Sequence, residues 1–186
     1  MKKILLSIFI TILISSCAAP SVPPQPIMQI VSSYDAKELE WFFSPKISRS
    51  NVLGIIEGSA FAKTKGGDVK SCAGSSVAAI PKSTYSQERI ETLYGNGETG
   101  TNGIYGSPAN FRFFIKIEEP DLGYSNARRE TQCDVDGRFK FVALPPGEYY
   151  IITRIIWEAG NRLQGGDIMK KVKLEDGEVK TIVVTP

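Results

Sequence analysis

The stretch DGRFKFVALPPGEYY, residues 136–150, decides the fold. Within it, residues 138–141 alternate charged and aromatic side chains, as a strand with one solvated face and one buried face requires. An Asp-Gly pair precedes this strand and a Pro-Pro-Gly turn follows it, so two turn signals bracket a short strand. Residues 149–157 (YYIITRIIW) are almost continuously apolar, which predicts a central strand buried on both faces.

Short strands are predicted on both sides of this stretch. They cover residues 52–61, 69–71, 76–80, 169–174 and 179–184. Strands of this length, separated by Gly, Pro and Asp turns, are typical of an all-β domain. The last two strands are joined by EDGE, residues 175–178, and its Asp-Gly pair predicts that they form a hairpin.

Two segments depart from the strand pattern and predict short helices. Residues 33–43 carry acidic residues at the front and aromatic residues behind, and this helix should end before Pro45. Residues 83–94 (STYSQERIETLY) begin with candidate capping residues and place apolar residues at helical spacing. We expect the second helix to be a surface decoration inserted between strands.

The aromatic residues 41–43 (WFF) admit two interpretations. They could form an exposed knob that contacts a membrane or a partner. They could instead pack against the β domain, and we favour this because large aromatic side chains usually bury most of their area.

Residues 95–106 (GNGETGTNGIYG) contain five glycines and predict a loop. This loop is not a phosphate loop, because that motif ends in Gly-Lys followed by Ser or Thr and no Gly-Lys occurs here. It is either a ligand-facing loop or a long insertion without a ligand, and we favour the insertion.

The chain resembles the carboxypeptidase regulatory-like domains. The resemblance rests on the DGRF start of one strand, on the LPPGEYY turn, and on Gly54 and Gly58 followed by AGSSV at residues 73–77. It covers roughly residues 52–184 and implies a transthyretin-like, Greek-key β-sandwich of about seven strands, here with one or two short helical insertions. Such modules accompany many kinds of protein, so the resemblance implies little about function.

One departure from that family concerns specificity. Residues 81–130 are longer than in a minimal module, and a function particular to this protein should reside there. A pilin-type sandwich with a Lys–Asn isopeptide crosslink fits poorly, because residues 179–185 contain no asparagine.

The N-terminus predicts export. Two lysines and an apolar run, residues 4–14, form a signal peptide whose apolar core is too short to span a bilayer. The following ISSC, residues 14–17, resembles the lipobox of bacterial lipoproteins, which implies that Cys17 becomes the lipidated first residue of the mature protein. Ala18 after the cysteine implies the outer membrane if the organism is Gram-negative. The alternative is an ordinary signal peptide that releases a soluble protein.

The predicted division of the chain follows from this signal. Residues 1–16 are the signal peptide, residues 17–51 hold the lipidated cysteine, a Pro-rich tether and a short helix, and residues 52–186 form the sandwich domain. Cleavage removes Lys2 and Lys3 and no acid from 22 basic and 20 acidic residues, so the remaining 170 residues are formally neutral. A neutral chain gives no support for nucleic acid as a partner.

The two cysteines beyond Cys17 predict a disulfide. In an exported protein Cys72 and Cys133 are more often paired than free, and the alternative is two buried thiols. The sequence contains no histidine, which excludes a Cys/His thiol protease and a His-containing zinc site within this chain. Asp134 and Asp136 fit a turn better than a calcium loop, whose twelfth position would here be Pro145. We therefore predict no catalytic residue, no metal and no cofactor.

Function is only broadly constrained. We expect a membrane-anchored envelope lipoprotein whose non-catalytic sandwich docks to another envelope protein. The alternative is a carbohydrate- or ligand-binding accessory module, in which exposed tyrosines stack on a glycan. The candidate tyrosines are Tyr85, Tyr94, Tyr105 and Tyr124. An enzyme is the third and weakest hypothesis.

Overall fold

Two β-sheets packed against each other form the body of the protein, as seen in a computed structural model that describes residues 30, 32–44, 52–104 and 120–186. These ranges contain nine strands: β1 Gly54–Lys63, β2 Val69–Ser71, β3 Ser76–Pro81, β4 Thr99–Ile104, β5 Arg129–Gln132, β6 Arg138–Leu144, β7 Gly147–Ala159, β8 Arg162–Leu174 and β9 Val179–Val184. The predicted all-β sandwich with short helical insertions is thus confirmed.

Three short helical segments accompany the strands. A 3-10 turn, Ala36–Leu39, continues into α1, Glu40–Phe43; α2 spans Thr84–Tyr94 and α3 spans Leu122–Ala127. The first two segments were predicted and α3 was not. None of the helices in the described ranges has the length and apolar character that a membrane span requires.

The first sheet, which we call the β1 sheet, is built around β1. Strand β6 pairs antiparallel with residues 54–59 of β1, β9 pairs in parallel with residues 55–60, and β2 pairs antiparallel with the last three residues of β1. Side chains alternate along β1, so that Ile56, Ala60 and Ala62 enter the core. Gly58 lies where a Cβ would stand 2.1 Å from the carbonyl oxygen of Ile182, so this glycine allows β9 to approach.

The second sheet, which we call the β7 sheet, has the order β4-β8-β7-β3-β5. Strand β7 pairs with β8 along its whole length and with β3 over its first half. Tyr149, Tyr150 and Ile151 are all buried, which confirms a central strand with two covered faces. Burial on both faces ends at Arg154, which is exposed, as is Ile156.

The predicted hairpin at residues 175–178 is wrong. The turn forms, with Gly177 at φ 62° and the Val52 amide donating to the Asp176 carboxylate at 2.7 Å. The chain then crosses to the other sheet, because Ile182 and Val184 are buried in the core when β9 lies beside β1. The Asp-Gly pair specifies the turn but does not select the strand that pairs next.

The predicted loop at residues 95–106 is also wrong in its second half, since β4 pairs there with β8. Its glycines serve close packing. A Cβ at Gly100 would stand 2.7 Å from the Cβ of Tyr94, and one at Gly103 would stand 2.7 Å from the Cα of Gly166. Only glycine permits these close approaches. The high glycine content, which predicts a loop, is here a requirement of a closely packed edge strand. Residues 105–106 lie outside the described residues.

Helix α2 begins where the sequence predicts, but it is no surface decoration. Ser83 is the N-cap, and it forms a capping box with Ser86. Five of its residues are buried: Tyr85, Ser86, Arg89, Ile90 and Tyr94. Of these, Ile90 and Tyr94 pack against the outer face of the β7 sheet. The helix therefore covers a second, smaller core.

The aromatic residues of α1 pack on the sandwich. Asp35 caps the 3-10 turn by accepting from the Lys37 amide at 2.9 Å. Phe42 is buried in the main core, and Trp41 lies across Gly147 with its ring 5.7 Å from that of Tyr149 in an edge contact. The packing interpretation is confirmed for these two residues, while Phe43 is 43% exposed.

The disulfide between Cys72 and Cys133 is present, with a Cα–Cα distance of 5.8 Å. It joins the segment before β3 to the segment after β5, and both cysteines are buried. Just after it, the Asp134 carboxylate accepts from the amides of Asp136 and Arg138 at 2.9 and 2.8 Å. The turn interpretation of these aspartates is thereby confirmed.

Loss of the disulfide should destabilise the domain. The two cysteines are separated by 61 residues, and closing a loop of this length stabilises the folded state by about 4 kcal/mol in the chain-entropy account. We expect Cys72→Ser to lower the Tm by roughly 10 °C. Calorimetry of the oxidised wild type, the reduced wild type and the variant checks this, and the last two should melt together. Equal melting of all three forms would contradict the role given to the bond.

Candidate ligand-binding cavity

A cavity of about 600 Å³ lies between the outer face of the β7 sheet and the helices α2 and α3. Small-molecule sites in proteins typically enclose about 300–1,000 Å³ and combine an apolar lining with a few converging polar groups. This cavity has both kinds of wall. Its helical side is contributed by residues 81–130, the segment in which a function particular to this protein is predicted to reside.

The floor of the cavity is apolar because of strand alternation. Along β3, Val77 and Ala79 face the main core, so Ala78 and Ile80 face outward. Ile152 of β7 extends this outer surface, and it is only half-buried. Helix α2 covers part of the surface and leaves the rest as the floor.

A buried arginine forms the helical wall. Arg89 is 6% exposed, and its guanidinium lies 5.6 Å from the ring centre of Tyr85 and 5.4 Å from that of Tyr124. Its Nη1 donates to the Tyr85 hydroxyl at 3.3 Å, and the Asp121 amide donates to the same oxygen at 3.2 Å. The two rings also contact each other edge-on, with their centres 5.5 Å apart, so the guanidinium lies beside a pair of touching rings and links α2 to α3.

A second arginine stands on the opposite wall in a forked ion pair. Arg154 and Asp167 are directly opposite each other on β7 and β8. Nε of Arg154 donates to one carboxylate oxygen at 2.6 Å and Nη2 donates to the other at 3.0 Å. This bidentate contact raises the pKa of Arg154 and holds both planar groups in place.

The phenols of the cavity are neutral. Burial raises the pKa of Tyr94, and the nearby Asp167 carboxylate raises it further. Burial also raises the pKa of Tyr124, although Arg89 and Arg128 oppose that shift. Both hydroxyls therefore keep their protons at physiological pH.

The predicted tyrosines do not form an exposed row. Tyr85 and Tyr94 are 4% and 7% exposed, and Tyr124 is half-buried. Tyr105 lies outside the described residues, as does Cys17. Stacking on an exposed row of these three tyrosines is thus not available. They line or support the cavity instead.

No local sequence pattern predicts the polar residues of the cavity. Arg89, Arg128, Arg154 and Asp167 come from α2, the end of α3, β7 and β8, so no local motif contains them. One sequence feature does indicate part of the wall. Tyr85 and Arg89 are four residues apart on a predicted helix, and side chains at that spacing contact each other.

Two other depressions differ in character. One of about 600 Å³ lies on the β1 sheet beside the ion pair of Glu57 and Lys140, whose charged atoms are 2.9 Å apart. The other, about 400 Å³, lies beside Trp41 and Glu148. The Glu148 carboxylate accepts from Lys82 at 2.9 Å and is 3.1 Å from the Lys171 ammonium, which together lower its pKa. In both places these charges are paired, and within the described ranges no three metal-ligating side chains come together.

Comparison with known proteins supports the fold. No protein-family model matches the chain, and no curated protein matches it significantly. Among solved structures, a proposed carbohydrate binding protein from Pseudomonas aeruginosa aligns with a TM-score of 0.64 and 18% identity, over 83% of this chain and 99% of that protein. At that identity the similarity shows the shared fold alone.

Two pilins align much more loosely. A minor pilin from Streptococcus agalactiae gives a TM-score of 0.30 at 13% identity, over 73% of this chain and 45% of the pilin. A basal pilin from Lactobacillus rhamnosus gives 0.29 at 15% identity, over 72% and 47%. Neither alignment bears on the site.

The wall built on Arg89 should depend on the Tyr85 hydroxyl. Tyr85→Phe keeps the ring and removes the oxygen that accepts from Arg89 and from the Asp121 amide. We expect a loss of about 1–2 kcal/mol in the free energy of unfolding, because buried donors lose their acceptor. Urea unfolding measures it, with Ser125→Ala as the control, since that serine makes an exposed hydrogen bond in the same region. Equal, small effects of both substitutions would contradict the arrangement.

Proposed function

We propose that this protein is a lipid-anchored, non-catalytic saccharide-binding module of the cell envelope. The observation that carries the proposal is the cavity between the β7 sheet, α2 and α3, in which an apolar floor meets oriented polar groups. One solved structure with the same fold is itself a proposed carbohydrate binding protein, which is consistent with this function.

The chemistry of the walls suits a sugar. A pyranose ring has an apolar face of C–H groups and an edge of hydroxyls that both donate and accept. The floor formed by Ala78, Ile80 and Ile152 can contact the apolar face. The fork of Arg154 and Asp167 offers donors and acceptors in one plane, so neighbouring hydroxyls can bond to both partners.

We also propose that the sandwich is a carboxypeptidase regulatory-like domain. Its motif residues have structural roles here that support membership. Gly137 adopts a φ of 74° in the turn before β6, and the Tyr149 hydroxyl donates to the Pro145 carbonyl at 2.6 Å. Gly147 leaves space for the ring of Trp41. Modules of this kind commonly accompany other functions, which fits a binding role without catalysis.

Anchoring through Cys17 completes the proposal. Several acyl chains on one cysteine hold a protein durably on a membrane, whereas one chain does so only marginally. The Pro-rich residues 18–26 would then separate the domain from the bilayer by about 3 Å per residue. The proposed location is the cell envelope, at the outer membrane of a Gram-negative organism.

Cys17→Ser should release the protein from membranes without unfolding it. We expect wild type in the membrane fraction and the variant in the soluble fraction, because the variant has no thiol to receive lipid. Fractionation with immunodetection measures this. The matched control is Cys72→Ser, which loses a different cysteine and should stay with the membrane. A Cys17→Ser protein that sediments with membranes as completely as wild type would overturn the anchor.

Saccharide binding should depend on the forked pair. Purified full-length protein is applied to an array of neutral and acidic saccharides, and hits are titrated. We expect Arg154→Gln to weaken binding at least about tenfold, because a bidentate charged contact is lost. Arg138→Gln is the matched control, since Arg138 also pairs with an aspartate, Asp136 at 3.4 Å, but on the β1 sheet. Absence of any hit, or equal losses in both variants, would contradict the proposal.

Docking to another envelope protein is the second candidate. It is favoured by strand β4, which pairs among the described strands with β8 alone and so presents an edge. Edge strands can accept a strand from a partner. A partner that co-purifies in fixed ratio, together with an empty saccharide array, would favour this function.

A further inference from the structure

The hydroxyl of Tyr94 is a buried polar group that has no hydrogen-bond partner within the described ranges. The residue is 7% exposed. Every fully enclosed side-chain oxygen or nitrogen in those ranges does have a partner, so the Tyr94 oxygen is not fully enclosed. It opens onto the cavity, which Tyr94 lines. A buried hydroxyl of this kind is left to bond with water or with a ligand.

The groups that surround this hydroxyl belong to the cavity. Burial raises the pKa of Tyr94 most, and the Asp167 carboxylate and the Tyr124 phenol raise it further. The guanidinium groups of Arg154 and Arg128 oppose this shift. All four of these residues line the cavity. Because charges and dipoles influence a pKa only at short range, the Tyr94 oxygen lies on the cavity side of its ring.

The ring of Tyr94 is held in place by close packing. Tyr94 is the last residue of α2, and Gly95 ends the helix with a φ of 87°. The ring belongs to the same cluster as Ile90 of α2 and Met169 of β8. A Cβ at Gly100 would stand 2.7 Å from the Cβ of Tyr94, so β4 lies directly against it. A side chain fixed in this way loses little conformational freedom when it binds a ligand.

The neighbouring carboxylate indicates which chemical group fits beside this hydroxyl. The two oxygens of Asp167 accept from Arg154 at 2.6 and 3.0 Å, and each carboxylate oxygen has two lone pairs. Asp167 therefore retains acceptor capacity, while the phenol of Tyr94 offers a donor. Sugar hydroxyls both donate and accept, so adjacent hydroxyls of one ring can accept from Tyr94 and donate to Asp167.

We propose that Tyr94 is a specificity-determining residue of the saccharide site, whose O–H donates to one hydroxyl of the bound sugar beside the Arg154–Asp167 fork. This inference rests on the proposed saccharide-binding function and assigns the recognition of one sugar position to one residue. Tyr94 then acts through its hydroxyl and not by stacking, because its ring is packed against the protein.

The first test measures stability without ligand. Tyr94→Phe should unfold at the same urea concentration as wild type, because in the part of the chain that the structure describes its hydroxyl has no partner to lose. Tyr85→Phe removes a hydroxyl that accepts two hydrogen bonds and should unfold at a lower concentration. A midpoint for Tyr94→Phe as low as that of Tyr85→Phe would show a structural role for the hydroxyl and overturn the inference.

The second test measures binding by calorimetric titration of the full-length protein. The probes are the saccharide that binds most tightly on the array and a series of its analogues, each lacking one hydroxyl. Tyr94→Phe should bind the parent saccharide roughly three- to tenfold more weakly than wild type, because one hydrogen bond is lost. Tyr150→Phe is the matched control, since Tyr150 lies in the same cluster but does not line the cavity, and it should bind like wild type.

The analogues identify the sugar hydroxyl that Tyr94 contacts. One analogue should bind wild type roughly three- to tenfold more weakly than the parent saccharide does, and Tyr94→Phe should bind this analogue about as tightly as wild type. The two losses then overlap, because both changes remove the same hydrogen bond. For the other analogues, the ratio between wild type and Tyr94→Phe should stay as it is for the parent.

The outcomes separate this inference from the proposed function. Unchanged affinity of Tyr94→Phe for the parent saccharide would overturn the role of Tyr94 while saccharide binding stands. A loss of the same size for every analogue would also overturn it, because the phenol would then contact none of the hydroxyls. An array without any bound saccharide would overturn both.

Discussion

The burial of β7 on both faces is the constraint on which the rest of the structure depends. One face of this strand contributes Tyr149 and Ile151 to the core between the sheets. The other face presents Tyr150 beside Met169 of β8, and these side chains would be exposed on a bare sandwich. Burying an apolar side chain of this size contributes roughly 1.5–3 kcal/mol, so the sheet favours a covering element on its outside.

The inserted segment supplies that cover and, in doing so, creates the cavity. Helix α2 places Ile90 and Tyr94 on the outer surface of the β7 sheet. It does not reach far enough to bury Ile152 completely, and α3 stands beyond it with Tyr124. The part of this apolar surface that the helices leave uncovered therefore forms the floor of the cavity between them. Arg89 forms part of its wall because the aromatic rings that join α2 to α3 also hold a cation.

Sequence patterns predict local structure better than they predict which strands pair and which distant segments meet. The apolar run at residues 149–157 identified the central strand, and Ser83 identified the start of α2. The Asp-Gly pair at Asp176 and Gly177 identified a turn, yet the strand after it joins the other sheet, since strand choice depends on long-range packing. Glycines 100 and 103 indicated a loop because a close approach between strands cannot be distinguished from flexibility by composition. The sequence predicts only that a specific function resides in residues 81–130 and does not predict the cavity, because its arginines are brought together by the register of β7 with β8 and by the placement of α2.

Amide hydrogen exchange of the full-length protein, with and without a saturating concentration of a saccharide bound on the array, tests the central claim most directly. That claim is that the helices of the insertion and the outer face of the β7 sheet form a ligand site. We predict slower exchange in peptides covering residues 83–94 and 120–128, with no change in peptides covering β1, β6 and β9. Protection confined to β1, β6 and β9, where the other large depression lies, would contradict the account.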